Sequence, residues 1–132
     1  IIDKHNAIHL SEDEWIKDLI DMYDNDEMRD NIARLHIKMA SRLLEKGVNI
    51  VMDGGYYSKI ERDNLRHIAK ATNSKFELHY LKTDFVTLDS RRIARNKDLE
   101  PQFWTTEENL KKAISFFEEP NEDENCMLYN SK

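Results

Sequence analysis

The sequence predicts an α/β protein, a three-layer sandwich with a parallel central sheet, and three observations lead there. Short apolar runs alternate along the 132 residues with longer segments whose apolar positions recur every three or four residues. Most of the helical segments open on a Ser, Thr or Asp and close on Gly, Asn or Pro, the residues that start and stop helices. Strands separated by helices pair in parallel through right-handed crossovers, which puts helices on both faces of the sheet.

The elements follow in order. Residues 7–10 read as a short strand, and Ser11 and Glu14 behind it have capping-box spacing, so a helix starts near residue 12. That helix turns Trp15, Ile16, Leu19, Ile20 and Met22 inward until Asp24, Asn25 and Asp26 interrupt it. From Glu27 to Lys46, Met28, Ile32, Leu35, Met39 and Leu43 form one apolar stripe, and Gly47 stands where a left-handed cap belongs. Val48 to Met52 suits a buried strand that ends in the turn Asp53-Gly54-Gly55. A second box, Ser58 to Glu61, opens a helix reaching Asn73, and Phe76 to Leu81 form the third strand. Thr83 or Asp84 caps a helix to about Asn96. A third box, Thr105 to Glu108, opens another that Pro120 must stop. Residues 97–104 read as a mobile surface loop, and 121–132 as an acidic tail of low order.

Composition narrows the function. With 20 Lys and Arg against 26 Asp and Glu the net charge is −6, which argues against a nucleic-acid sleeve and confines any phosphate site to a local basic cluster. A single cysteine, Cys126, excludes an internal disulfide framework and a multi-cysteine metal site, and fits a reducing compartment. No apolar run approaches the roughly 20 residues that cross a bilayer, so a cytoplasmic protein with no membrane partner is expected. The three glycines, Gly47, Gly54 and Gly55, rule out a G-x-x-x-x-G-K-[ST] phosphate loop within these residues.

In open parallel sheets ligands bind beyond the carboxyl ends of the strands. The polar residues there are Asp13 and Asp53, with Arg91 and Arg95 beyond the third strand. Asp53 has the form of an acid that holds Mg2+ beside a nucleotide, and equally of a turn residue ahead of Gly-Gly. Asp13 either favours its helix N-terminus electrostatically or accepts the proton of a substrate hydroxyl. Arg91 and Arg95, four apart, share a helical face. They either pair with Asp84, Asp89 or Glu100 or form a clamp for polyphosphate and purine. Tyr56 and Tyr57, just past the Gly-Gly turn, are substrate-side candidates. The five histidines form no metal motif and read as surface or core-edge residues.

Taken together, Leu10-Ser11-Glu12-Asp13-Glu14-Trp15, Ile50-Val51-Met52-Asp53-Gly54-Gly55, Ser58-Lys59-Ile60-Glu61-Arg62 and Arg91-x-x-x-Arg95-Asn96 resemble a P-loop kinase family. It comprises AAA-type ATP-binding proteins related to zeta toxin, chloramphenicol phosphotransferase and polynucleotide kinase. The resemblance covers residues 7–120 and implies a P-loop NTPase core over 1–120 with a lid near 91–105. It implies ATP and Mg2+ as cofactors and phosphoryl transfer to a hydroxyl of a small-molecule or nucleotide-like acceptor. Asp13 then matches the base, Asp53 the metal-side acid, Arg91 the arginine near adenine and Arg95 the one on the transferred phosphate. Arg62 matches an arginine with a structural or substrate-side role. The family's first strand and phosphate loop have no counterpart here, which, with Ile1 in place of Met, leads to the expectation of an N-terminally truncated piece. The alternative is a catalytically inactive interaction module. A sheet without its middle strand also leaves open edges, hence an expected homo-oligomer or a rearranged sheet.

Overall fold

The computed structural model describes residues 1–19 and 26–130, which fall into two compact units. The first takes Ile1–Tyr56 and Ile60–Lys75, the second Tyr57–Lys59 and Phe76–Lys132. The first unit holds α1 (Ile2–His5), β1 (Ile8–Ser11), α2 (Glu12–Leu19), α3 (Asp26–Glu45), β2 (Ile50–Asp53) and, from Ile60 on, α4 (Lys59–Ala71). The second holds β3 (Leu78–Lys82), α5 (Phe85–Lys97), a 3-10 turn at Pro101–Phe103, α6 (Glu107–Phe116), a second 3-10 turn at Glu122–Glu124 and β4 (Cys126–Asn130).

The expected α/β alternation and parallel pairing are present, but the described strands do not form a single central sheet. The described strands form two separate two-stranded parallel sheets, β1-β2 and β3-β4. Each strand thus has one neighbour, and no described strand joins the pairs. In the first sheet Ile8 lies opposite Ile50 and Ser11 opposite Asp53, so both strands end at one edge. In the second, Leu78 faces Cys126 and Lys82 faces Asn130.

The core of the first unit lies where α2 crosses α3. Ile16 and Ile32 are buried there, with Trp15 and Met28 packed against them. Each buried isoleucine contributes roughly 1.5–3 kcal/mol over its exposed state. The buried face of α3 is Ile32, His36 and Ala40, four apart, whereas Leu35 and Met39 from the expected stripe are largely exposed. The expected course of α2 through Ile20 and Met22 lies outside the described residues.

His36 departs from the surface or core-edge reading, because its place on the i, i+4 face drives it fully inside. Its ring meets Trp15 edge-on at 4.3 Å, and neither nitrogen has a hydrogen-bond partner among the described residues. Burial holds its pKa below the ordinary 6.5. The folded state therefore resists a proton that the unfolded chain accepts. Stability is complete above pH 6.5 and falls as the pH drops below it, by at most about 1.4 kcal/mol per pH unit. His36→Phe should flatten this acid limb when urea midpoints are compared at pH 7.5 and 5.5.

The helix ends mostly follow the sequence. Gly47 adopts φ 74° after α3, and Val48 donates its N–H back to the Leu43 carbonyl at 3.0 Å. That use of Val48 delays β2 until Ile50. Asn73, at φ 53°, ends α4 in the same way. Asp84 caps α5 through the Thr87 N–H at 2.8 Å. The cap of α6 is Thr106 rather than Thr105, because Thr105 is engaged by α5. α6 also stops at Phe116, before Pro120 acts. The Glu118 N–H is drawn to the Tyr57 carbonyl at 2.7 Å, and Phe117 packs on Tyr57 and Tyr80.

Two segments read as loose are tied down. The acidic tail folds because its acids serve as caps: Asn121 and Glu124 form a capping box, Glu124 is buried, and β4 follows. The loop at 97–104 is closed by bonds from α5 to Thr105.

Candidate functional site

The parallel register of β1 and β2 brings the first group of candidates to one strand edge. Asp53 closes β2 opposite Ser11, and Glu12 and Asp13 begin α2 directly behind Ser11. Ser11 accepts the Glu14 N–H at 3.4 Å, the half of the expected cap that fixes the start of α2. The Glu12 carboxyl lies over Gly54, where a Cβ would meet its carbon at 3.0 Å, so a side chain there would push the Glu12 carboxyl aside by a few tenths of an ångström. Asp53 is otherwise open, with His9 Nε2 at 3.3 Å from its Oδ2.

This edge is crowded with negative charge. Burial first, then Asp13, Glu61 and Asp53, raise the Glu12 pKa above its ordinary value. Tyr56 follows with left-handed φ 41°. Burial and then Glu12, Asp53 and Glu61 push its phenol far upward, so it stays protonated. Its hydroxyl is buried and has no hydrogen-bond partner among the described residues, leaving a neutral donor among acids. Arg62, only 2% exposed, donates to the Tyr56 carbonyl at 3.0 Å and so braces the turn. Tyr57 belongs to the second unit, where its ring packs on Phe117.

Ionising Glu12 therefore costs stability in the folded state. With its folded pKa raised, its favourable contribution holds below the unfolded value and is lost as the pH rises through the folded one. Glu12→Gln should stabilise the first unit at pH 7.5, by less than about 1 kcal/mol because Glu12 is only partly buried, and by nothing near pH 4. Paired urea titrations at the two pH values check this.

The second group lies on α5. Arg95 Nη2 donates to Thr105 Oγ1 at 2.9 Å. Between them it is Arg92, rather than Arg91 or Arg95, that pairs with Asp89, at 2.7 Å, and it also donates to the Thr105 carbonyl at 3.0 Å. Arg91 is exposed on the same helix. Asp13 and Asp53 therefore belong to the first unit, and Arg91 and Arg95 to the second.

Sequence reasoning missed Glu12, Glu61, His9 and Thr105. Only the pairing of Ser11 with Asp53 reveals that Glu12 faces Gly54, and that pairing is not encoded in any local run. No described helix is long and apolar enough to cross a membrane.

Acids set at the carboxyl ends of parallel strands, followed by an arginine-bearing helix, place the chain in the P-loop NTPase-like class of α/β domains. The AAA domain family matches residues 1–120, and the chain belongs to it. No curated protein and no solved structure matches the chain.

Proposed function

We propose that the protein is an ATP-dependent phosphotransferase acting on a hydroxyl of a small-molecule or nucleotide-like acceptor, in the kinase branch related to zeta toxin and chloramphenicol phosphotransferase. The observation that supports this most is the strand edge, where the register sets Asp53 opposite Ser11 and Asp13 follows two residues later in the first turn of α2. In this reading Asp13 accepts the acceptor's hydroxyl proton as the oxygen attacks the γ-phosphorus, the bond from that phosphorus to the β–γ bridging oxygen breaks and ADP leaves with the electron pair. Tyr56, a neutral donor, orients the acceptor. Arg91 and Arg95 neutralise charge on the nucleotide phosphates, while Arg62 holds the Tyr56 turn and Tyr57 lies on the substrate side.

Among the described residues no group of three or more His, Cys, Asp or Glu could hold a metal ion. Mg2+ takes one or two carboxylates and fills its shell with water and phosphate. Asp53, exposed beside a surplus of negative charge, is the residue that would hold it. When bound, the ion neutralises charge on the β- and γ-phosphates.

The three glycines cannot build a phosphate loop, so the reading requires one from outside these 132 residues. The same glycine shortage favours the second reading, an inactive module whose acidic surface docks a basic partner. The test is γ-phosphate transfer from labelled ATP by the full-length gene product to a panel of hydroxyl compounds. Transfer supports the kinase; neither transfer nor nucleotide binding supports the module.

A further inference from the structure

All three polar groups of Thr105 are bound by α5. Its N–H donates to Asn96 Oδ1 at 3.1 Å, and its carbonyl accepts from Asn96 Nδ2 at 2.9 Å and from Arg92 at 3.0 Å. Its hydroxyl oxygen takes the Arg95 guanidinium at 2.9 Å. The backbone bonds and the hydroxyl bond do separate work. The first close the loop at 97–104, helped by Trp104 Nε1 donating to the Leu99 carbonyl at 2.9 Å. The second fixes only where the Arg95 fork points. Arg95 is exposed, and its long side chain loses rotamer freedom only where something holds it.

We infer that Thr105 is a positioning residue for Arg95: its hydroxyl holds one nitrogen of the guanidinium and leaves the other donors aimed outward for a phosphate oxygen. The inference rests on the proposed role of Arg95 as a phosphate clamp. A neutral hydroxyl suits this task. A carboxylate would neutralise Arg95 and compete with phosphate for its donors, whereas a hydroxyl orients the fork without cancelling its charge. Thr105 directly precedes Thr106, the N-cap of α6. The pair Asn96 and Thr105 thus carries the geometry of the arginine face from the helix to the loop and back.

The experiment compares Thr105→Val, Thr105→Ser, Asn96→Ala and Arg95→Ala in the full-length protein. MgATP turnover to ADP gives kcat and KM, and hydrogen exchange follows residues 97–104. Thr105→Val keeps the backbone bonds, so loop protection should stay at the wild-type level while kcat falls about tenfold with KM for ATP within twofold. Thr105→Ser, which restores the hydroxyl, should recover at least half of kcat. Asn96→Ala should deprotect the loop. If Arg95→Ala lowers kcat a hundredfold while Thr105→Val leaves it unchanged, or if the serine variant recovers nothing, the positioning role is wrong and the clamp survives. If Arg95→Ala changes neither kcat nor KM, the clamp itself is wrong, and the role of Thr105 falls with it.

Discussion

Asp13→Asn should lower γ-phosphoryl transfer by the full-length protein by roughly 100- to 10,000-fold, the range that a positioned general base supplies. The amide has the carboxylate's shape and cannot take a proton at neutral pH. The acceptor's oxygen would then attack while still carrying its hydrogen. The variant should fold at least as well as the parent, because Asp13 is one of the charges that push the Glu12 pKa up, and neutralising it relieves that repulsion. A drop in transfer with an unchanged or higher urea midpoint therefore reports chemistry rather than damage. Transfer at the parental rate would remove Asp13 from the mechanism.

Ile32→Ala should cost about 2–5 kcal/mol, the range for truncating a buried Ile with partial collapse of the cavity. Ile32 is 1% exposed and packs with Ile16 at the crossing of α2 and α3. Urea unfolding followed through Trp15 emission, in a Trp104→Phe background, isolates the first unit. Leu35→Ala, on the exposed side of the same helix, should cost under about 0.5 kcal/mol. Equal losses from the two would show that the sequence's original stripe, not the Ile32-His36-Ala40 face, is the buried one. Because α2 begins at Glu12 and Asp13, the alanine variant should also loosen the acidic strand edge.

Local chemistry was legible wherever a single residue decides the backbone. Gly47 as a left-handed cap, Asn73 as a helix end and Asp84 as an N-cap are all properties of a few neighbouring atoms, and all three appear as read. The strand-end acids were found for the same reason, since Asp13 and Asp53 follow short apolar runs. What could not be read depends on pairing across long stretches of chain. His36 is buried because its face of α3 meets Trp15, and Thr105 is lost as a cap because α5 claims it. The acidic segment after Pro120 misled in another way. Composition counts charges, but Glu124 spends its charge on the Asn121 N–H and lets the chain continue into a strand.

The reach of β4 redraws the edge of the working protein. The family match ends at residue 120, yet the strand bonded to β3 among the described residues begins at Cys126. A polypeptide trimmed to the matched region would strip β3 of every ladder bond it has, along with the Lys59–Asp123 contact at 3.9 Å. The stretch from Asn121 to Asn130, beyond the family's border, is structural lumber of the second unit, and a shortened version that keeps β3 paired must retain it.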